Sequence, residues 1–250
     1  MKLGLLVGNS SLRVALLDGG EIREARRLEW SDLVESHFRG MLEVLQHTAV
    51  DEVVVGSVRD DLLEELLAAT RDRLPAVRLA GRDFAIPVEN RYQKPEQAGV
   101  DRLLNAVAAH ALWPESNVVV LDFGTALSIT VVSAAGEFLG GVIGAGAGVT
   151  EAALHRETPS LPVVRLRPQE GFLHRNTEDA VRAGIFWQLV GGAQLILDGL
   201  KGELSSPVRS VATGGEADLV VHAMKGLDRL DPDLTMRGLC IASEPECSGR

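Results

Sequence analysis

Cysteine is scarce in this chain: two residues, Cys240 and Cys247, both near its end. They form no metal-ligand cluster and no disulfide framework, so they are expected to be incidental thiols of a reducing compartment. Basic charge is in deficit, with 25 Lys and Arg against 35 Asp and Glu and a net charge of −10. A nucleic-acid partner would want a basic face and is not expected, although a local loop can still bind a small anion on an acidic protein. No unbroken apolar run reaches the roughly 18 residues of a membrane helix, and no basic segment precedes a long apolar stretch. Neither a membrane nor secretion is expected, and the cytoplasm is. The six histidines (His37, His47, His110, His155, His174, His222) are scattered without metal-ligand spacing.

What is present, at 46% hydrophobic and 24% charged residues, is ordinary for a folded domain or two in 250 residues. Short β-type runs alternate with helical periods. "KLGLLVG" and "LRVALLDGG" read as adjacent strands, with Gly19-Gly20 as a hairpin signal. Apolar residues near a 3.6 period predict a helix over 31–47 behind Ser31 as N-cap, and the stretches at 59–74 and 99–113 predict two more around the buried strand "DEVVVGSV". From residue 117 the order begins again: strand, glycine turn, strand, turn, strand, followed by helices. Gly8-Asn9-Ser10 and Gly124-Thr125-Ala126 take equivalent places, so a duplicated α/β unit is expected, with a ligand between the halves.

Three stretches have residue types suited to chemistry. "VVVLDFGTALSIT" ends a strand in Asp122 and turns through Gly124 and Thr125, which suits a cation and a phosphate. "TGG" at 213–215 adds Gly214 and Gly215 as a further glycine turn, where a nucleoside can pack against backbone or a helix simply begins. In "YQKPEQAGVDRLLN", Asp101-Arg102 falls in the first turn of a helix; the acid can cap it or accept a proton from a hydroxyl while the guanidinium holds an anion.

With "GVDR" after a Tyr and a Pro, the segments "DFGTA", "GGVIGAG", "TPSLP", "NTEDAVRAG", "ATGGEA" and "DPDLTMRGL" follow in an order that resembles the type III pantothenate kinases, from residue 3 to about 242. The resemblance implies the acetate and sugar kinase/Hsp70/actin fold: an α/β chain of duplicated ribonuclease H-like (actin-like ATPase) domains, taken as residues 1–115 and 116–250, with the active site between the halves. It implies ATP-dependent phosphorylation of pantothenate to 4'-phosphopantothenate, the first step of coenzyme A biosynthesis. Carried over by position, Gly8, Asn9, Ser10 and Arg13 would face the ATP phosphates and Thr125 would touch ATP. Tyr92, Gly99, Val100, Asp101, Arg102 and Thr177 would bind pantothenate, with Asp101 the proton acceptor. Asp122 would hold a monovalent cation, potassium or ammonium, and magnesium would arrive as the ATP complex. The resemblance also implies a homodimer. Two positions depart from the family pattern: Leu6 stands where the first turn carries an Asp, and Ala145-Gly146 replaces a Pro-Gly. Leu6 opens one alternative, a catalytically impaired homologue acting as a regulatory or accessory protein.

Overall fold

A computed structural model of the chain describes residues 1–30, 50–70, 74–205 and 207–244. The helix expected over 31–47, with Ser31, His37 and His47, lies outside the described residues, as does Cys247.

Strands β1 (Lys2–Val7), β2 (Ser11–Asp18) and β3 (Glu21–Glu29) form an antiparallel meander. Gly19 and Gly20, with φ of 58° and 80°, make the tight turn between β2 and β3, a pair of left-handed positions that glycine occupies at no steric cost. β4 (Glu52–Ser57) lies parallel to β1, helix α1 (Asp60–Thr70) follows, and β5 (Ala76–Leu79) lies parallel to β4. The resulting sheet order is β3-β2-β1-β4-β5. β1 and β4 are apolar on both faces because both faces are covered, whereas β3 is an exposed, charged edge. A two-residue strand, β6 (Glu89–Asn90), and a 3-10 turn at Pro95–Gln97 lead into α2 (Val100–Leu112).

The pattern then repeats. β7 (Asn117–Phe123), β8 (Ala126–Val132) and β9 (Glu137–Ala145) form a second meander. After α3 (Ala147–Glu157) and the 27-residue α4 (Thr177–Glu203), β10 (Val208–Thr213) lies parallel to β7. A single helical turn, α5 (Ala217–Val220), precedes β11 (Arg229–Leu230), parallel to β10, and the final helix α6 (Leu234–Ser243). Five strands of the six-stranded second sheet, in the order β9-β8-β7-β10-β11, repeat the order of the first sheet. The duplication expected from the two glycine turns is therefore a duplication of topology.

The chain divides into two compact units: the described residues of Met1–Ala108 with those from Asp233 onward, and Ala109–Pro232. A break at 115/116, as expected from the sequence, would have left the last helix with the second half. It returns to the first because Met236, Leu239 and Cys240 join Leu6, Leu17, Val54 and Leu104 in one buried cluster. The helices α2 and α6 touch backbone to side: a Cβ added at Gly238 would stand 2.0 Å from the Leu104 carbonyl oxygen. Beside that contact the Thr235 hydroxyl donates to Asn105 Oδ1 at 2.8 Å.

In the second unit α4 supplies the core with Ile185, Phe186, Leu189, Val190 and Leu197, packed on Leu121, Phe123 and Ile129 of the sheet. α4 is long and apolar enough to cross a bilayer by length and composition, and it is the one such helix among the described residues. Its apolar side is that core.

Replacing Gly238 by alanine tests the close approach. Helix propensity alone would stabilise the protein by about 1 kcal/mol, but overpacking against a backbone carbonyl costs about 1–3 kcal/mol. Urea unfolding of Gly238→Ala is expected to show a net loss. Gly199→Ala, with nothing within 4 Å of the new methyl, should show a gain.

Candidate active site

The first glycine turn closes β1 onto β2, with Gly8 N donating to Ser11 O at 3.0 Å and Asn9 and Ser10 exposed at its tip. Trp30 holds it from outside: its indole N–H donates to Gly8 O at 2.9 Å and its amide to Ser10 O at 3.4 Å. Sequence reasoning missed Trp30, because nothing local marks a residue twenty positions away as the brace of a turn. Leu6 is 9% exposed and opposes Arg13 on one side and Gly56 on the other. Gly56 makes room for it: an added Cβ there would lie 3.0 Å from Leu6 and 2.9 Å from Leu104. Position 6 is thus a core position. Arg13 sends Nη2 to Asp233 Oδ1 at 2.5 Å, so the basic group of this turn is held by an acid of the C-terminal segment.

The second turn is tighter. Gly124 N donates to Ala126 O at 3.2 Å, and Gly146 N donates to Thr125 O at 3.1 Å. A Cβ at Gly146 would be 2.1 Å from Gly124 O, so the glycine of the Ala145-Gly146 pair is the member that the geometry demands. Gly214, at φ 96°, presses on the same strand end, and an added Cβ would stand 2.5 Å from both Asp122 Oδ1 and Phe123 O. Gly215 continues that turn, after which Glu216 N donates to Phe123 O at 3.0 Å and the Glu216 carboxylate accepts from Ala147 N at 3.4 Å. Three glycine turns therefore meet around Asp122-Phe123-Gly124-Thr125.

Across the strands, Asp122 is in register with Thr213 on β10 and Ser128 on β8. Residues in register share a face. The Thr213 and Ser128 hydroxyls are buried and find no hydrogen-bond partner among the described residues. A carboxylate between two unsatisfied hydroxyls is an all-oxygen set, suited to a hard cation rather than to zinc or copper. No cluster of three His, Cys, Asp or Glu side chains that could hold a metal ion occurs among the described residues.

The third group begins at Gly99, where the 3-10 turn gives way to α2. Asp101 folds back so that Oδ1 accepts from Arg102 N at 2.8 Å and would lie 2.5 Å from a Cβ at Gly99. Burial pushes the Asp101 carboxyl above the ordinary carboxylate range, against the smaller opposing effects of the Arg102 N–H and guanidinium. Arg102 is 4% exposed. Its Nη1 donates to the Tyr92 hydroxyl at 2.6 Å, and the guanidinium lies 5.4 Å from the centre of the same ring. Val100 turns inward to the cluster of Leu6 and Leu104.

Thr177 begins α4, where Asn176 Oδ1 accepts from Asp179 N at 2.8 Å. With Leu161, His174, Arg175, Asn176 and Val181 it lines an open cavity of about 560 Å³. The sequence-expected residues thus gather into four groups: Gly8, Asn9, Ser10 and Arg13; Tyr92, Gly99, Val100, Asp101 and Arg102; Asp122, Thr125, Gly214 and Gly215; and Thr177 at its cavity.

Two matching five-stranded orders, each opening on a glycine turn, define a duplicated ribonuclease H-like protein of the actin-like ATPase class. Solved structures share the fold. An activator of 2-hydroxyisocaproyl-CoA dehydratase from Clostridium difficile, with bound ADPNP, aligns at a TM-score of 0.54 and 12% identity over 96% of this chain and 92% of that one. A ROK family glucokinase from Streptomyces griseus, in complex with glucose and AMPPNP, aligns at 0.52 and 13% over 96% and 98%. Within that class, the type III pantothenate kinase family model matches residues 3–198, and the chain belongs to that family. Curated type III pantothenate kinases from Anaeromyxobacter sp. (strain K) and Acidiphilium cryptum (strain JF-5) are 34% and 33% identical to it. They align over 98% and 96% of this chain, and 99% and 92% of theirs.

Leu6→Asp would put a carboxylate into the packing between β1 and α2. The variant is expected to lose about 2–4 kcal/mol of stability in urea unfolding at neutral pH. A buried carboxylate has a raised pKa, so the deficit should shrink as pH falls and the group becomes neutral.

Proposed function

We propose that the protein phosphorylates the primary hydroxyl of pantothenate with ATP, yielding 4'-phosphopantothenate for coenzyme A synthesis. The observation that carries this reading is the desolvated Asp101 carboxyl at the start of α2, next to an Arg102 that is fixed by Tyr92. Asp101 accepts the hydroxyl proton as the substrate oxygen attacks the γ-phosphorus. The new O–P bond forms as the bond to the β-phosphate oxygen breaks, and ADP leaves. Tyr92, the Gly99–Arg102 segment and Thr177 hold pantothenate, with Arg102 facing its carboxylate as a preorganised cation. Asn9, Ser10 and Arg13 meet the phosphates at the first turn, and Thr125 with the Gly214-Gly215 turn meets the nucleotide at the second.

Potassium or ammonium fits the oxygen set of Asp122, Ser128 and Thr213, where it would supply positive charge near the nucleotide. Magnesium as a partner of the first turn fits less well, because Leu6 offers no ligand and its side chain is packed in the core. The intact groups at Asp101 and Asp122 favour turnover over the accessory role that Leu6 raises. A second copy of the chain suits the exposed apolar residues Ile143, Val163, Phe172 and Leu173, which are 61–85% exposed. The setting is the cytoplasm, in keeping with a cosubstrate ATP and a buried free thiol at Cys240.

Asp101→Asn should bind pantothenate and lower kcat by roughly 10²–10⁴-fold in a coupled assay, the size of a general-base contribution. Because the base must be ionised, activity falls as pH falls. The acid limb of kcat/KM should lie above the roughly 3.9 of an ordinary aspartate, as the burial of Asp101 dictates. Near-normal turnover in the variant would remove Asp101 from the role.

Cation binding is read separately from activity. Potassium chloride should raise the melting temperature of the wild type more than choline chloride at equal ionic strength. Asp122→Ala should abolish the difference, and Thr213→Val should reduce it.

A further inference from the structure

We infer that Asn90 is a positioning residue for the acceptor substrate: it sets the place of Tyr92, and through it that of Arg102. This rests on the proposed function above. Asn90 ends β6, and both ends of its side-chain amide are engaged. Its Oδ1 accepts from Tyr92 N at 3.0 Å, and its Nδ2 donates to Pro95 O at 3.0 Å. The first bond is an Asx turn that fixes the backbone two residues on, at Tyr92. The second ties the far end of the loop to the same amide, at the residue that opens the 3-10 turn. Pro95 has no N–H of its own with which to hold the loop, so its carbonyl is the available tie, and it also accepts from Ala98 N at 3.2 Å. One side chain thus spans the segment from Tyr92 to the turn that delivers Gly99, Asp101 and Arg102.

The consequence follows from the contacts of Tyr92. Arg102 is buried and meets the Tyr92 ring and hydroxyl. A guanidinium packed against a phenol sits where the phenol is put, since its five donors form a rigid fork. A loop free to swing at residue 92 would blur the place of the Arg102 guanidinium. No other side chain carries an acceptor and a donor at the length of asparagine, and aspartate keeps only the acceptor.

Tyr92 is the sole tyrosine of the chain, so biosynthetic 3-fluorotyrosine labels one position and gives one ¹⁹F resonance. In Asn90→Ala that resonance should be displaced or broadened without substrate. The KM for pantothenate should rise about three- to tenfold, the cost of one positioning hydrogen bond, while kcat and the KM for ATP stay near wild type. Asn90→Asp keeps the bond to Tyr92 N. It should keep the resonance in place, with a KM nearer to wild type than that of Asn90→Ala. The inference is overturned if Asn90→Ala leaves the resonance and the KM unchanged. It is equally overturned if kcat, both KM values and the melting temperature deteriorate together, as a merely structural residue would cause. A wild-type resonance indifferent to added pantothenate sinks the Tyr92 contact itself, and with it the acceptor site of the proposed function. A responsive wild type with a silent Asn90→Ala sinks only the role of Asn90.

Discussion

Backbone lying directly on backbone, at places where no side chain intervenes, is the constraint on which the candidate site depends. Gly146 and Gly214 each come within about van der Waals contact of the strand end at Asp122–Thr125, where an added Cβ would be 2.1–2.5 Å from a carbonyl or carboxylate oxygen. Gly238 does the same for α6 against α2, the helix that starts with Asp101. Such contacts bring peptide dipoles and a carboxylate closer together than side-chain packing allows. They also leave little freedom, because proteins are close-packed and a methylene at these points has nowhere to go. Asp122 and the helix that begins at Asp101 are thereby held by direct backbone contacts.

On that frame the two sheets are alike in order and opposite in chemistry. The row through position 6 reads Gly56, Leu6, Arg13 across β4, β1 and β2. The equivalent row in the second sheet reads Thr213, Asp122, Ser128. One row has a cation beside an apolar side chain; the other has an acid between two unsatisfied hydroxyls. The Arg13 guanidinium of the first row is paired with Asp233, whereas the acid of the second lies between two hydroxyls. Leu6 is therefore part of a consistent local design, packed against Leu104 with the glycine at 56 making its space.

The group of Tyr92, Asp101 and Arg102 illustrates a different balance. Burial raises the proton affinity of Asp101, while the adjacent Arg102 opposes that rise only in part. A carboxylate with a raised pKa is a better proton acceptor for a hydroxyl than one left in water, provided the pH keeps it ionised. The cost of burying Arg102 is met by the Tyr92 hydroxyl and ring.

The alternating apolar runs and the three glycine turns determined the elements, the duplication and the places of Asp101, Asp122 and Thr125, because those depend on local periodicity and on turn chemistry. Motif order determined the family. Tertiary structure alone decided the rest. That α6 returns to the first unit, that Trp30 braces the turn at Gly8, that Asp233 holds Arg13 and that Thr213 flanks Asp122 all join residues from 22 to more than 200 positions apart. Such pairs are set by strand register and by which apolar faces must be buried together. No window of sequence contains that information, since the partner of each residue is chosen by the closing of the whole sheet.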